Sequence, residues 1–158
     1  NKLFKGHAAR VSASMLRVDC LFALARDDKE RLLEVAEAYA ELKSFVGHPF
    51  DTRAEAAYKE GVVLCRMGKT ERAKLVYFRD VARGFLTEID PQRKVGTTGR
   101  YWIARSLFDL GEILDREGET DRAVNVYRLV LAHGLPGHKL ALGRVSSELE
   151  DAGVIPEK

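Results

Sequence analysis

The chain has 158 residues, 46% hydrophobic and 32% charged, with 26 Lys and Arg set against 24 Asp and Glu. At this length folding buries roughly 68–70% of the unfolded chain's surface, so a core forms without disulfides or metal, and a small stapled scaffold is excluded. Interleaved charges summing to +2 give no field for a dedicated nucleic-acid binder, no apolar run nears the ~20 residues of a membrane span, and a composition rich in Ala, Leu, Arg and Glu with 4 Pro predicts one soluble all-α domain over 1–158.

The chain opens at Asn1 without a methionine or an apolar signal core, so a fragment or processed form is expected. The compartment stays open between cytoplasm and, if an upstream signal has been removed, a bacterial periplasm. Residues 11–25 and 31–45 carry two amphipathic patterns divided by the polar turn Arg26-Asp27-Asp28-Lys29, which predicts a degenerate first hairpin over 5–47. After His48-Pro49-Phe50-Asp51-Thr52, Ala57, Tyr58, Gly61, Leu64 and Cys65 recur at helical spacing. Gly68 is placed to end that helix, and Thr70 is expected to cap the next one, with Glu71 in its first turn. Ala73, Val76, Tyr77 and Val81 continue the apolar stripe towards Leu86, giving a unit over 51–88. A linker over 91–99 leads to a second unit over 99–133. There Leu107, Phe108, Gly111 and Leu114 precede Gly118 and Thr120, followed by Ala123, Val126, Tyr127 and Leu131. Leu135-Pro136-Gly137 breaks the chain, and 139–149 reads as a last helix within a capping segment over 137–151.

The two units echo each other at an offset of 50. Gly61, Leu64, Arg66, Gly68, Thr70, Arg72, Ala73, Val76 and Tyr77 recur as Gly111, Leu114, Arg116, Gly118, Thr120, Arg122, Ala123, Val126 and Tyr127. Identity across small, apolar and charged types marks an internal repeat. A mid-helix glycine costs about 1 kcal/mol against Ala, and close packing is expected to offset it. Gly61 and Ala73 are read as the small residues that let two helices approach, with Tyr77 filling the gap farther along.

The order Gly61, Gly68, Ala73, Tyr77, matched by Gly111, Gly118, Ala123, Tyr127, resembles the core of a tetratricopeptide repeat. Leu110 and Leu114 fit the family's first-helix apolar positions. Glu60, Ala57 and Leu107 depart from its pattern, as does the period, which in the family is about 34. The resemblance implies about three antiparallel helical hairpins plus a C-terminal capping helix, in a short right-handed superhelix. A weaker similarity, in the segment around His48-Pro49-Phe50, points to repeats of bacterial envelope-assembly proteins.

Catalytic motifs are not found. Gly68-Lys69-Thr70 resembles the end of a P-loop, but Val63 stands where its first glycine belongs, and the context is helix-turn-helix. His7, His48, His133 and His138 lack zinc spacing and read as solvated loop residues. Cys20 and Cys65 read as small buried hydrophobes, and the Asp27-Asp28 and Glu148/Asp151 pairs as solvated. No catalytic residue, cofactor or metal is therefore expected. Arg93, Lys94, Arg100 and Arg105 gather near Tyr101 and Trp102, where packing or a protein contact is preferred over nucleic acid.

In the family that the resemblance names, the first helix of each unit lines a concave binding face. Carried over by position, that face offers Glu55, Tyr58, Lys59, Val62 and Cys65, then Arg105, Phe108, Asp109, Glu112 and Asp115. Tyr58 and Phe108 are its anchor candidates. Chaperone-binding members hold a terminal carboxylate with Lys and Asn where this chain has Tyr58 and Val62, so no carboxylate clamp is implied. The expected function is a non-catalytic scaffold for a protein or peptide with a polar or basic surface. The alternative is a structural spacer or oligomerisation segment of a longer, multi-subunit or envelope-associated protein, with a nucleic-acid-binding module or an enzyme ranked below both.

Overall fold

The computed structural model describes residues 2–86 and 96–151, with side chains for 9–86 and 96–147. Among the described residues it is all-helical and contains no strand. The helices are α1 (Lys2–Ala25), α2 (Lys29–Ser44), α3 (Phe50–Arg66), α4 (Thr70–Leu75), α5 (Thr97–Arg116), α6 (Thr120–Ala132) and α7 (His138–Asp151). A π-wound segment, Val76–Phe85, continues α4 without a break. Each helix from α1 to α4 packs on the next, and the same holds from α5 to α7; α3 also lies against α5, and the π-wound segment against both. A single core runs through these contacts, with Tyr39, Leu64, Ile103, Leu107 and Tyr127 fully buried. Each such side chain stabilises the fold by about 1.5–3 kcal/mol.

Both repeated glycines do the same work. A Cβ built at Gly61 would overlap the Tyr77 ring, and one at Gly111 the Tyr127 ring. The space of the missing Gly61 side chain is taken by the edge of the Tyr77 ring itself, and not, as the sequence suggests, left as a gap that Tyr77 closes farther along. Ala73 and Ala123 lie at 0% exposure one turn before their tyrosines. The buried hydroxyls then need acceptors. Tyr127 donates to Asp115 Oδ2 at 2.7 Å, whereas Tyr77, with Cys65 at the matching position, is 3.5 Å from the Tyr58 carbonyl and turns towards the Asp109 carboxylate of α5.

The turns follow the glycines. Gly68 (φ 73°) and Gly118 (φ 76°) take the left-handed conformation just past α3 and α5, as the sequence predicts. Thr70 and Thr120 do not cap; they are the first helical residues, and Lys69 and Glu119 occupy the cap positions without a side-chain hydrogen bond. Asp28 does cap α2, accepting from the Glu30 and Arg31 amides. The linker expected over 91–99 lies outside the described residues up to 95, and its last part is helical, because α5 starts at Thr97. Gly99 is buried there, and a Cβ on it would push aside the Asp51 carboxylate and press on the Phe50 ring where the first turns of α3 and α5 meet.

The second helix of the first unit reaches Leu86, but not as an α-helix. Its apolar residues Val76, Val81 and Leu86 step by five, and the Leu86 amide bonds to the Val81 carbonyl. An i→i+5 winding keeps such residues on one side. In α6, Ala123, Val126, Tyr127 and Val130 step by three and four, and the helix stays α.

Two glycine substitutions separate packing from helix propensity. Gly111→Ala is expected to lower stability by about 1–3 kcal/mol, because overpacking against Tyr127 outweighs the gain in propensity. Gly143→Ala in α7, where a Cβ meets nothing within 4 Å, is expected to raise stability by up to about 1 kcal/mol. Urea unfolding of the two variants beside the wild type measures both signs.

Candidate functional site

The residues implied as a binding face sit on α3 and α5, and α1 borders them. Lys59 Nζ donates to both carboxylate oxygens of Asp19 at 2.8 Å and to Glu55 Oε1 at 2.6 Å. Burial pulls the Lys59 ammonium down, but these hydrogen bonds outweigh it and hold the group above its ordinary value. Asp19 also accepts from the buried Tyr39 hydroxyl at 2.6 Å, which ties α1, α2 and α3 together. Tyr58 stacks on Trp102 with ring centroids 5.2 Å apart, and its hydroxyl accepts from Arg105 at 3.1 Å. Burial raises the Asp109 carboxyl, against the pull of Arg105. Glu112 is exposed, 3.6 Å from Arg144 of α7, and Val62 on α3 is half-buried.

Other expected face residues point to neighbours. Phe108 packs against Tyr127, 6.0 Å between centroids, and beneath Gly137, where a Cβ would touch its ring. Asp115 is engaged by the Tyr127 hydroxyl. Cys65 is half-buried, and burial with nearby Asp109 raises its thiol, the opposite of an activated nucleophile.

Several other expectations change. Cys20 is exposed rather than buried, because it lies on the outer side of α1, and both thiols are free. His48 is not a solvated loop residue: its Nδ1 lies 3.0 Å from the Leu42 carbonyl, and its ring meets Phe45 edge-on. His133 is exposed at the C-terminal cap of α6, where Arg100 donates to the carbonyls of His133 and Gly134. Arg100 and Arg105 thus have internal partners, while Arg93 and Lys94, and the side chains of His7, Glu148 and Asp151, lie outside the described residues. Gly68-Lys69-Thr70 and Gly118-Glu119-Thr120 are the same interhelical turn. No His, Cys, Asp and Glu residues converge into a metal-sized group among the described residues. None of the described helices is long and apolar enough to cross a membrane.

Two features were missed. The first is ionic: Lys43 Nζ donates to Glu60 Oε2 at 2.6 Å and Asp80 Oδ2 at 2.5 Å, joining α2, α3 and the π-wound segment. The three side chains are 11%, 9% and 17% exposed. Burial pushes the Glu60 carboxyl up despite Lys43. At Asp80 burial acts the same way, but hydrogen bonds from Arg79 and Lys43 outweigh it and hold the carboxyl low. Acidification therefore removes the stabilising contribution of Asp80 as pH falls through its depressed value, while it favours folded Glu60. Glu60 was visible as a departure from the repeat, with Leu110 at the matching position, but its partners lie 17 and 20 residues away.

The second is a groove of about 650 Å³ between α4 and α6. Leu75, Phe78, Leu110, Leu114, Val126 and Leu129 form its apolar walls. At the end near the interhelical turns, Lys74 pairs with Glu117 at 2.5 Å and Glu71 at 2.7 Å, and Glu119 pairs with Arg122. Along α5, Arg105, Asp109 and Glu112 are rotated by about half a turn from Leu110, Leu114 and Glu117, so the groove and the α3–α5 face lie on opposite sides of that helix. Comparison with models of known protein families, with curated proteins and with solved structures finds no match.

The buried ions predict an asymmetry. Lys43→Met should cost about 3–5 kcal/mol, because it leaves the buried Glu60 without its cation partner and facing an Asp80 held only by the exposed Arg79. Replacing all three, Lys43→Met with Glu60→Leu and Asp80→Leu, should recover most of that loss. Thermal and urea unfolding of the single and triple variants provide the comparison.

Proposed function

We propose that the chain is a non-catalytic scaffold that binds a basic peptide segment of a partner protein. In this reading the hairpins α1/α2, α3/α4 and α5/α6 form a tetratricopeptide-like stack capped by α7. The wedge of Tyr77 on Gly61, repeated by Tyr127 on Gly111, supports the hairpin assignment. The observation that carries the binding assignment is the charge of the α3–α5 face. Asp19, Glu55, Asp109 and Glu112 line it against Lys59 and Arg105, and the two cations are already held by Asp19, Glu55 and Tyr58. An incoming cation meets an excess of carboxylate, four groups against Lys59, Arg105 and the Arg144 that lies 3.6 Å from Glu112, beside the stacked Tyr58 and Trp102.

A second reading is self-association, and one observation favours it. Ala9, Ala13, Leu16, Cys20 and Leu24 share the outer face of α1, where Leu16 is 63% and Leu24 68% exposed. A second copy seated there would make the chain an oligomerisation segment. Light scattering across concentration, with Leu16→Glu as the control variant, separates this from a monomeric scaffold.

The scaffold reading is tested by fluorescence anisotropy with two labelled peptide pools, one carrying Lys and Arg beside aromatic residues and the other Glu and Asp. The basic pool should bind, weaken as salt is raised, and lose at least about tenfold in affinity to an Asp109→Asn, Glu112→Gln variant. Equal binding of the acidic pool would show the face is not a cation-selecting surface.

A further inference from the structure

We propose that the groove between α4 and α6 is a second docking surface, and that its occupant is a short amphipathic helix flanked by lysine or arginine. The surface is independent of the α3–α5 face, on the far side of α5.

The groove's exposed apolar residues are not required by the hairpin that carries them. Leu75 is 56% and Phe78 43% exposed. The position matching Leu75 in the second unit is Asn125, on the opposite wall of the same groove. Positions that serve the hairpin core, such as Ala73, Val76 and Tyr77, are the same in both units. Leu75 falls between them and differs, so internal packing does not account for it.

The shape fits one ligand helix. Two helices bound the groove, and its floor along α5 runs from Leu110 through Leu114 to Glu117. Seven residues of helix rise about 10 Å, or two turns. A partner helix laid alongside presents apolar residues at i, i+3, i+4 and i+7 over the same length.

Charge selects the flanks. Glu71, Glu117 and Glu119 stand at the turn end against Lys74 and Arg122, and both cations are committed to those carboxylates. The Glu71 side chain stays 81% exposed despite its pairing. This rim attracts a cation and repels phosphate, which sets it against nucleic acid and anionic lipid.

The test uses a displayed library of helical peptides with apolar residues fixed at i, i+3, i+4 and i+7, and with Lys or Glu equally allowed at the flanking positions. Selection on the intact protein should enrich Lys over Glu. Enriched peptides should lose at least about tenfold in affinity to a Leu75→Glu, Phe78→Glu variant and keep it with Asp109→Asn, Glu112→Gln. Both groove substitutions fall on exposed side chains, and an unchanged thermal melt verifies the fold. Glu71→Gln with Glu117→Gln should abolish the Lys preference while leaving apolar selection in place. Any one of three outcomes overturns the proposal: no enrichment, enrichment of Glu, or full affinity for the groove variant. Self-association that Phe78→Glu abolishes also overturns it, by making a second copy the occupant. A failure here leaves the α3–α5 reading standing, because that face is read by its own variant.

Discussion

Tyr77 and Tyr127 each press the hydroxyl-bearing edge of the ring onto a glycine of the neighbouring helix, and that contact sets the spacing of α3 against the helix that follows it and of α5 against α6. Glycine in the middle of a helix is unfavourable by itself, so it persists where a large ring must come closer than any Cβ permits. The left-handed glycines at 68 and 118 then return the chain so that the tyrosine arrives opposite its glycine. Ring, gap and turn form one unit, and the remaining core is built around two copies of it.

With the hairpin geometry held by those few residues, other positions of the two units were free to diverge. The first unit buries Glu60 with Lys43 and Asp80, where the second has Leu110. A buried ion pair is weak evidence of stabilisation but costly to break, so the Lys43 contacts act more as a lock between α2, α3 and the π-wound segment than as a source of net stability. The face across α3 and α5 differs in the same way, with Lys59 in one unit and Asp109 in the other. A repeated frame with unrepeated surfaces allows each side of α5 to present its own chemistry.

What was legible in the sequence was whatever sits within one hairpin. The helices, the glycine turns and the paired small residues are separated by at most a few turns, so spacing alone exposes them. Thr70 failed as a cap because threonine next to a glycine turn is equally comfortable as the first helical residue, and pattern does not distinguish the two. The side of α1 that carries Cys20 was unreadable for a different reason: whether an amphipathic helix at the end of an array is covered depends on what lies beyond it. The Lys43 cluster and the α4–α6 groove join residues from three helices each, and no local spacing reports such meetings. The face on α3 and α5 was found through resemblance, yet Phe108 within it turns to Tyr127 and Gly137 rather than outward.

The π-wound segment explains where the internal echo thins out. The dense run of identities at the offset of 50 spans Gly61 to Tyr77 and breaks off one residue after the winding changes at Val76; beyond it, up to Leu86, only Ala82 with Ala132 and Gly84 with Gly134 still coincide. Past that point the buried residue four after Tyr77 is Val81, while the one three after Tyr127 is Val130. The first unit thus behaves as if one residue had been slipped into its second helix, absorbed as a wider coil instead of a kink or a loop. A fixed offset beyond residue 77 compares side chains that face different directions, and the true correspondence between the two units there is displaced by one.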